Sequence, residues 1–167
     1  MARRPLKTAA ELMAELQSDP TWVAQNTERE AKRQAAELRL RAEEEPMIAD
    51  LAKAGLEVGS VWDLVNSNNS YPAAIPILLD HLRRPYHKDI RNGIIRALTV
   101  KGAKGIVGSI ILDELHHETD EENRWVLANA LTVVADQANR GAIQALLDDP
   151  AYEDVSERLT EALKQTR

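Results

Sequence analysis

Residues 89–100, DIRNGIIRALTV, and residues 122–136, ENRWVLANALTVVAD, decide the fold. Displacing the chain by 33 residues lays Ile94 on Leu127, Ala97-Leu98-Thr99 on Ala130-Leu131-Thr132, and Arg91 on Arg124. The same displacement lays Val61, Leu64 and Val65 on Ile94, Ala97 and Leu98, and Leu78-Leu79-Asp80 on Ile111-Leu112-Asp113. A displacement of 32 carries Leu127 to Leu159 and Ala130-Leu131 to Ala162-Leu163, and the recurring Asp reaches Asp148 at 35. Within each segment the matched apolar residues stand at i, i+3 and i+4, which is one face of a helix. One helix pair cannot cover such a face, whereas stacked neighbouring pairs can. Two helices per unit at this period predict an all-α chain and a right-handed α-solenoid.

Outward from this core, punctuation by Pro, Gly and Asn predicts helices at about 46–54, 60–66, 72–83, 87–100, 103–116, 120–135, 137–148 and 153–165. These eight form four hairpins over 46–167. Residues 1–45 read as a helical arm. Residues 1–7 read as a frayed end. Thr8 and Glu11 have capping-box spacing for a short helix at about 9–17 that sets Leu12, Met13 and Leu16 on one side. Asp19-Pro20 reads as N-cap and first residue of a long helix reaching about Glu44, with Pro46 opening a new element. That helix carries a narrow stripe of Val23, Thr27, Ala31, Ala35, Leu38 and Ala42 amid charged residues. One reading is a solvated helix held by i,i+4 charge pairs, with one edge against the body. The other is self-association through residues 20–44.

The segments AAIPILLDHL (73–82), GSIILDEL (108–115) and GAIQALLDDPAYEDVSERLTEAL (141–163), with the two quoted first, resemble the HEAT-repeat family in its short bacterial form, related to phycobilisome-lyase HEAT-like repeats. The first helices have a P-x-L-x-x-x-L look, the turns are acidic, and Arg opens the second helix before an Ala-Leu ending. Residues 57–86 also look like a group of bacterial HEAT-repeat proteins that carry an ELMAEL…DP segment and a charged helix at the N-terminus. The resemblance covers about residues 46–167 and implies about four HEAT-like hairpins. The first unit departs from the pattern. It has Asp63 where a small or apolar residue is usual and no Arg at its second-helix start, so it reads as a degenerate capping unit.

The chain has 167 residues with 21 Lys/Arg and 27 Asp/Glu, a net charge of −6, and no Cys. The absence of Cys excludes disulfides, thiolate metal sites and a Cys nucleophile, and fits a reducing cytoplasm. No apolar run reaches the roughly 20 residues of a membrane span. MARRPLKTAAELMAEL lacks the apolar stretch of a signal peptide. The charge is unevenly placed: −1 over residues 1–45, +3 over 46–112 and −8 over 113–167. His81, His87, His116 and His117 lack metal-ligand spacing, and the last two read as a solvated helix end. Asp80, Asp113 and Asp148 read as turn residues that meet Arg91 or Arg124 or cap the next helix. KGAKG at 101–105 has no strand before it and is no phosphate loop. No Ser nucleophile elbow is present.

These features predict a non-catalytic scaffold or adaptor, with neither cofactor nor metal. A protein or peptide partner would lie on the concave face formed by the second helices. Trp62, Arg91, Asn92, Arg96, Arg124, Trp125 and Asn129 are the candidate partner-binding residues, since Trp and Arg dominate interfaces. One alternative comes from HEAT-like glycosylases of alkylated DNA bases, which use a basic groove with Trp and Asp; Trp62, Asp63 and Trp125 loosely match them. The acidic balance argues against nucleic acid. The other alternative, implied by the family resemblance alone, is an accessory factor related to bilin lyases.

Overall fold

The computed structural model describes residues 7–166, and among these it is all-helical, without strands. The helices are α1 (Ala9–Ser18), α2 (Pro20–Lys53), α3 (Val61–Val65), α4 (Ala74–Leu82), α5 (Lys88–Leu98), α6 (Gly108–His117), α7 (Glu121–Val134), α8 (Arg140–Leu147) and α9 (Ser156–Gln165). The expected frayed end falls, apart from Lys7, outside the described residues. No helix among them is long and apolar enough to cross a membrane. Contacts divide the chain into two compact units, one ending at Ala42 and one beginning at Glu43.

In the first unit, Thr8 and Glu11 close the anticipated capping box: the Glu11 amide donates to Thr8 Oγ1 at 3.3 Å and the Thr8 amide to Glu11 Oε2 at 2.8 Å. Asp19 Oδ1 accepts from the Thr21 amide at 2.9 Å and starts α2. Lys32–Glu28, Arg33–Glu30 and Arg41–Glu37 pairs run along that helix. Leu12, Met13 and Leu16 on α1, and Val23 and Leu38 on α2, are exposed.

The second unit begins with a departure from the sequence reading. Helix α2 runs through Pro46 to Lys53 instead of ending at about Glu44. Proline removes one ladder hydrogen bond, but its φ is helical, and the residues after it are firmly held. Met47 and Leu51 are fully buried. The buried Glu44 carboxylate accepts from the Val61 amide and from Ser60 Oγ at 3.0 Å, so α2 supplies an anion to the N-terminus of α3. The neighbouring Glu43 accepts from the His87 amide at the start of α5. Farther along, Asp50 Oδ2 lies 3.2 Å from Nε2 of the fully buried His81, whose Nδ1 is 2.6 Å from the Tyr86 hydroxyl. Lys53 first, and then His81, holds the Asp50 carboxyl below its ordinary range.

The remaining helices pack as consecutive pairs, α4 on α5, α6 on α7 and α8 on α9, and also in series, α3 on α5, α5 on α7 and α7 on α9. Short 3₁₀ segments at Gln137–Asn139 and Pro150–Val155 replace the first turns expected of α8 and α9, and another at Lys101–Ala103 precedes α6, which starts at Gly108 instead of about 103. Before α6, Gly105 at φ +80° breaks the run. Most of the apolar positions that recur at 32–33 residues form the core. Val61, Ile94, Ala97, Leu98, Leu127, Leu131, Leu159 and Ala162 are fully buried, and Ala130 nearly so. Burying each Leu or Ile contributes about 1.5–3 kcal/mol.

Gly93 sets the α3–α5 approach. A Cβ there would lie 2.5 Å from Val61 Cγ1 and 3.2 Å from Trp62 Cε2. Gly93→Ala is therefore expected to lower stability by about 1–3 kcal/mol. Gly141, in α8, faces open space, and Gly141→Ala is expected to be neutral or to stabilise by up to about 1 kcal/mol. Urea midpoints of the two variants check both.

Candidate functional site

The side chains that leave the core of α7 build the site. Asp120 caps this helix by accepting from the Asn123 amide at 3.0 Å. Val126, Leu127, Ala130, Leu131 and Val134 then face inward. Trp125 and Asn129, four residues apart, share the outer side. Trp125 stays 42% exposed, unusual for so large an apolar side chain. Trp125 shares one open cleft, spanning three helices, with Arg96 on α5, Thr99 just past the end of α5, and Val65 of α3. Arg96 is exposed, and no carboxylate lies within 4 Å of it among the described residues. The guanidinium of Arg158, on α9, stands 5.7 Å from the centroid of the Trp125 ring.

Of the seven anticipated residues, the structure brings Arg96, Trp125 and Asn129 together. Trp62, 37% exposed, lies with its indole against the Gly93 backbone and does not line the cleft. Asn92 is buried, with its Oδ1 unpartnered. Arg91 and Arg124 correct the expectation most clearly. Arg91 donates to Glu114 at 2.5 Å and to Glu118 at 3.1 Å, binding α5 to the end of α6. Arg124 grips Asp154 through Nε at 2.9 Å and Nη2 at 2.7 Å, donates to the Ala151 carbonyl, and lies 4.7 Å from the centroid of Tyr152. At about 100° per residue, Arg124 projects a quarter-turn away from Trp125 and Arg91 about 140° away from Arg96. The repeated arginine thus binds each second helix to the next hairpin along the chain.

The recurring Asp residues do not meet these arginines. Asp80 pairs with Arg84, Asp113 lies 3.9 Å from His117, and Asp148 accepts from Gln144 at 3.0 Å, each four residues away within its own hairpin. Asp63 accepts from the Gly59 amide at 2.8 Å and from the Ser60 amide at 3.1 Å, so its carboxylate serves the cap of α3. Among the described residues, no three His, Cys, Asp or Glu side chains converge as a metal site would require.

Sequence reasoning missed Arg158, Thr99 and Val65. In the register set by Leu159, Arg158 falls on the inward-facing Val126, so position alone hides its reach to Trp125. Val65 reads as repeat-matched core and Thr99 only as a match to Thr132, yet both stay partly exposed at the cleft. No protein-family model matches the chain, and neither a curated protein nor a solved structure matches it.

Removing Arg91 leaves Glu114 and Glu118, both largely shielded, without a counter-ion. Arg91→Ala is expected to lower stability by about 2 kcal/mol, whereas Arg96→Ala is expected to change it by less than about 0.5 kcal/mol. Thermal melts with matched far-UV spectra compare the two.

Proposed function

We propose that this chain is a non-catalytic scaffold of the HEAT-repeat type, acting in the cytoplasm. In this reading residues 46–167, with the end of α2 and α3 as a degenerate first hairpin, form a right-handed solenoid of about four hairpins. A protein or peptide partner lies along the face made by the second helices α3, α5, α7 and α9. The serial packing of those helices and the burial of the 33-residue core positions support the architecture. The observation that carries the binding function is the cleft between α3, α5 and α7, where an exposed indole and an unneutralised guanidinium stand side by side. Aromatic and Arg side chains of this kind supply most of the energy in protein interfaces.

The test uses the full chain, immobilised and exposed to extract of its native host, beside Trp125→Ala and the remote variant Arg83→Gln. A protein captured by wild type and Arg83→Gln, and reduced at least tenfold on Trp125→Ala in quantitative mass spectrometry, supports the reading. Equal capture by Trp125→Ala overturns the assignment of the face.

A further inference from the structure

We infer that the α3–α5–α7 cleft takes an acidic peptide segment, with a carboxylate on Arg96 and an apolar side chain on the Trp125 indole; this rests on the proposed scaffold function. Several arginines of the second unit are already satisfied within the chain. Arg84, Arg91 and Arg124 are each held by a carboxylate of this chain at 2.5–2.7 Å. Arg96 has no such partner among the described residues. Its place in the last turn of α5 suits the helix dipole, but the dipole does not account for the bare indole beside it. Arg158 of α9 also reaches that indole, 5.7 Å from its centroid, and the solvent-facing Glu157 carboxylate lies 3.7 Å from this guanidinium. The exposed ring thus shares its cleft with one guanidinium, Arg96, and has a second, Arg158, over it from α9. Each offers a planar donor fork that matches a carboxylate. Val65 and Val126 make the adjoining wall apolar. The Asn129 amide, which carries both donors and an acceptor, is placed to meet a peptide backbone.

The same groups would also attract phosphate, and range decides between the two. Residues 113–167 carry a net charge of −8. Screening confines each charge to about 8 Å at physiological salt. A peptide with one or two carboxylates set on Arg96 and Arg158 feels mainly those arginines. A nucleic acid long enough to cross several helices must also lie over the acidic units, so the peptide is favoured.

The test pans a display library of random twelve-residue peptides on the full chain and on Trp125→Ala, Arg96→Gln and Arg96→Glu, each checked for native helicity. Binding of the enriched peptides, and of a twenty-nucleotide oligothymidylate, is then measured by fluorescence anisotropy. The expected result is enrichment of Asp or Glu beside Leu, Trp or Pro. Affinity should then fall about tenfold or more on Arg96→Gln, and Arg96→Glu should select Lys or Arg instead. Enriched peptides without acidic residues, bound equally by Arg96→Gln but lost on Trp125→Ala, would overturn the acidic preference and leave the scaffold reading intact. No enrichment, or equal enrichment on Trp125→Ala, would remove both. Tight oligothymidylate binding that displaces the peptides would replace this inference with a nucleic-acid surface.

Discussion

A helix of eight to fourteen residues, such as α5, α7, α8 or α9, has too little surface to enclose its own apolar face. In the second unit that face is covered because the helices pack in consecutive pairs and the second helices α3, α5, α7 and α9 also pack on one another in series. Ile94, Leu98, Leu127 and Leu131 therefore lose all contact with water without any one helix being apolar all round. The outer side of each second helix is released from packing duty, and there the chain places Arg96, Trp125 and Asn129. The site depends on the core in this direct sense: the spacing that buries Leu127 also turns Trp125 outward.

The core was legible because burial obeys a period. Most apolar residues at the right phase of a repeated helix are driven inward, with Val65 and Leu163 as exceptions, and the 33-residue recurrence supplies the phase three times over. The arginines were misread for a related reason. Recurrence marks a residue with a recurring task, and for Arg91 and Arg124 that task is to bridge successive segments, not to meet a partner. Their receptors, Glu114, Glu118 and Asp154, sit 23–30 residues downstream with no periodic signature of their own. Pro46 reads as a boundary because local rules penalise proline inside a helix. Tertiary anchors on both sides, Glu43 and Glu44 before it and Met47 and Leu51 after it, override that penalty. In the glutamate run 43–45, which reads as a solvated face, two members cap helices distant in sequence. Arg158 reaches Trp125 only across the α7–α9 contact, which a linear register does not display.

Charge in the second unit thus falls into two groups. Most of it serves geometry: Glu44 at the start of α3, Asp63 inside that same cap, Asp120 at the start of α7, and the arginines bridging hairpins. Such groups fix helix ends whose amides would otherwise lack partners. A minority, Arg96 foremost, has no structural duty beyond the helix dipole. Sorting side chains this way separates substitutions that loosen the fold from those that alter only the character of the surface.

The distribution of aromatic residues has a spectroscopic consequence. The chain has no Phe and three Trp, and two of those, Trp62 on α3 and Trp125 on α7, stand at half-exposed positions. Covering them withdraws water from the indoles, so their emission shifts to the blue without any attached dye. With Trp22 and Trp62 replaced by Phe, the remaining indole becomes an intrinsic optical gauge of occupancy, read in the same sample that reports folding.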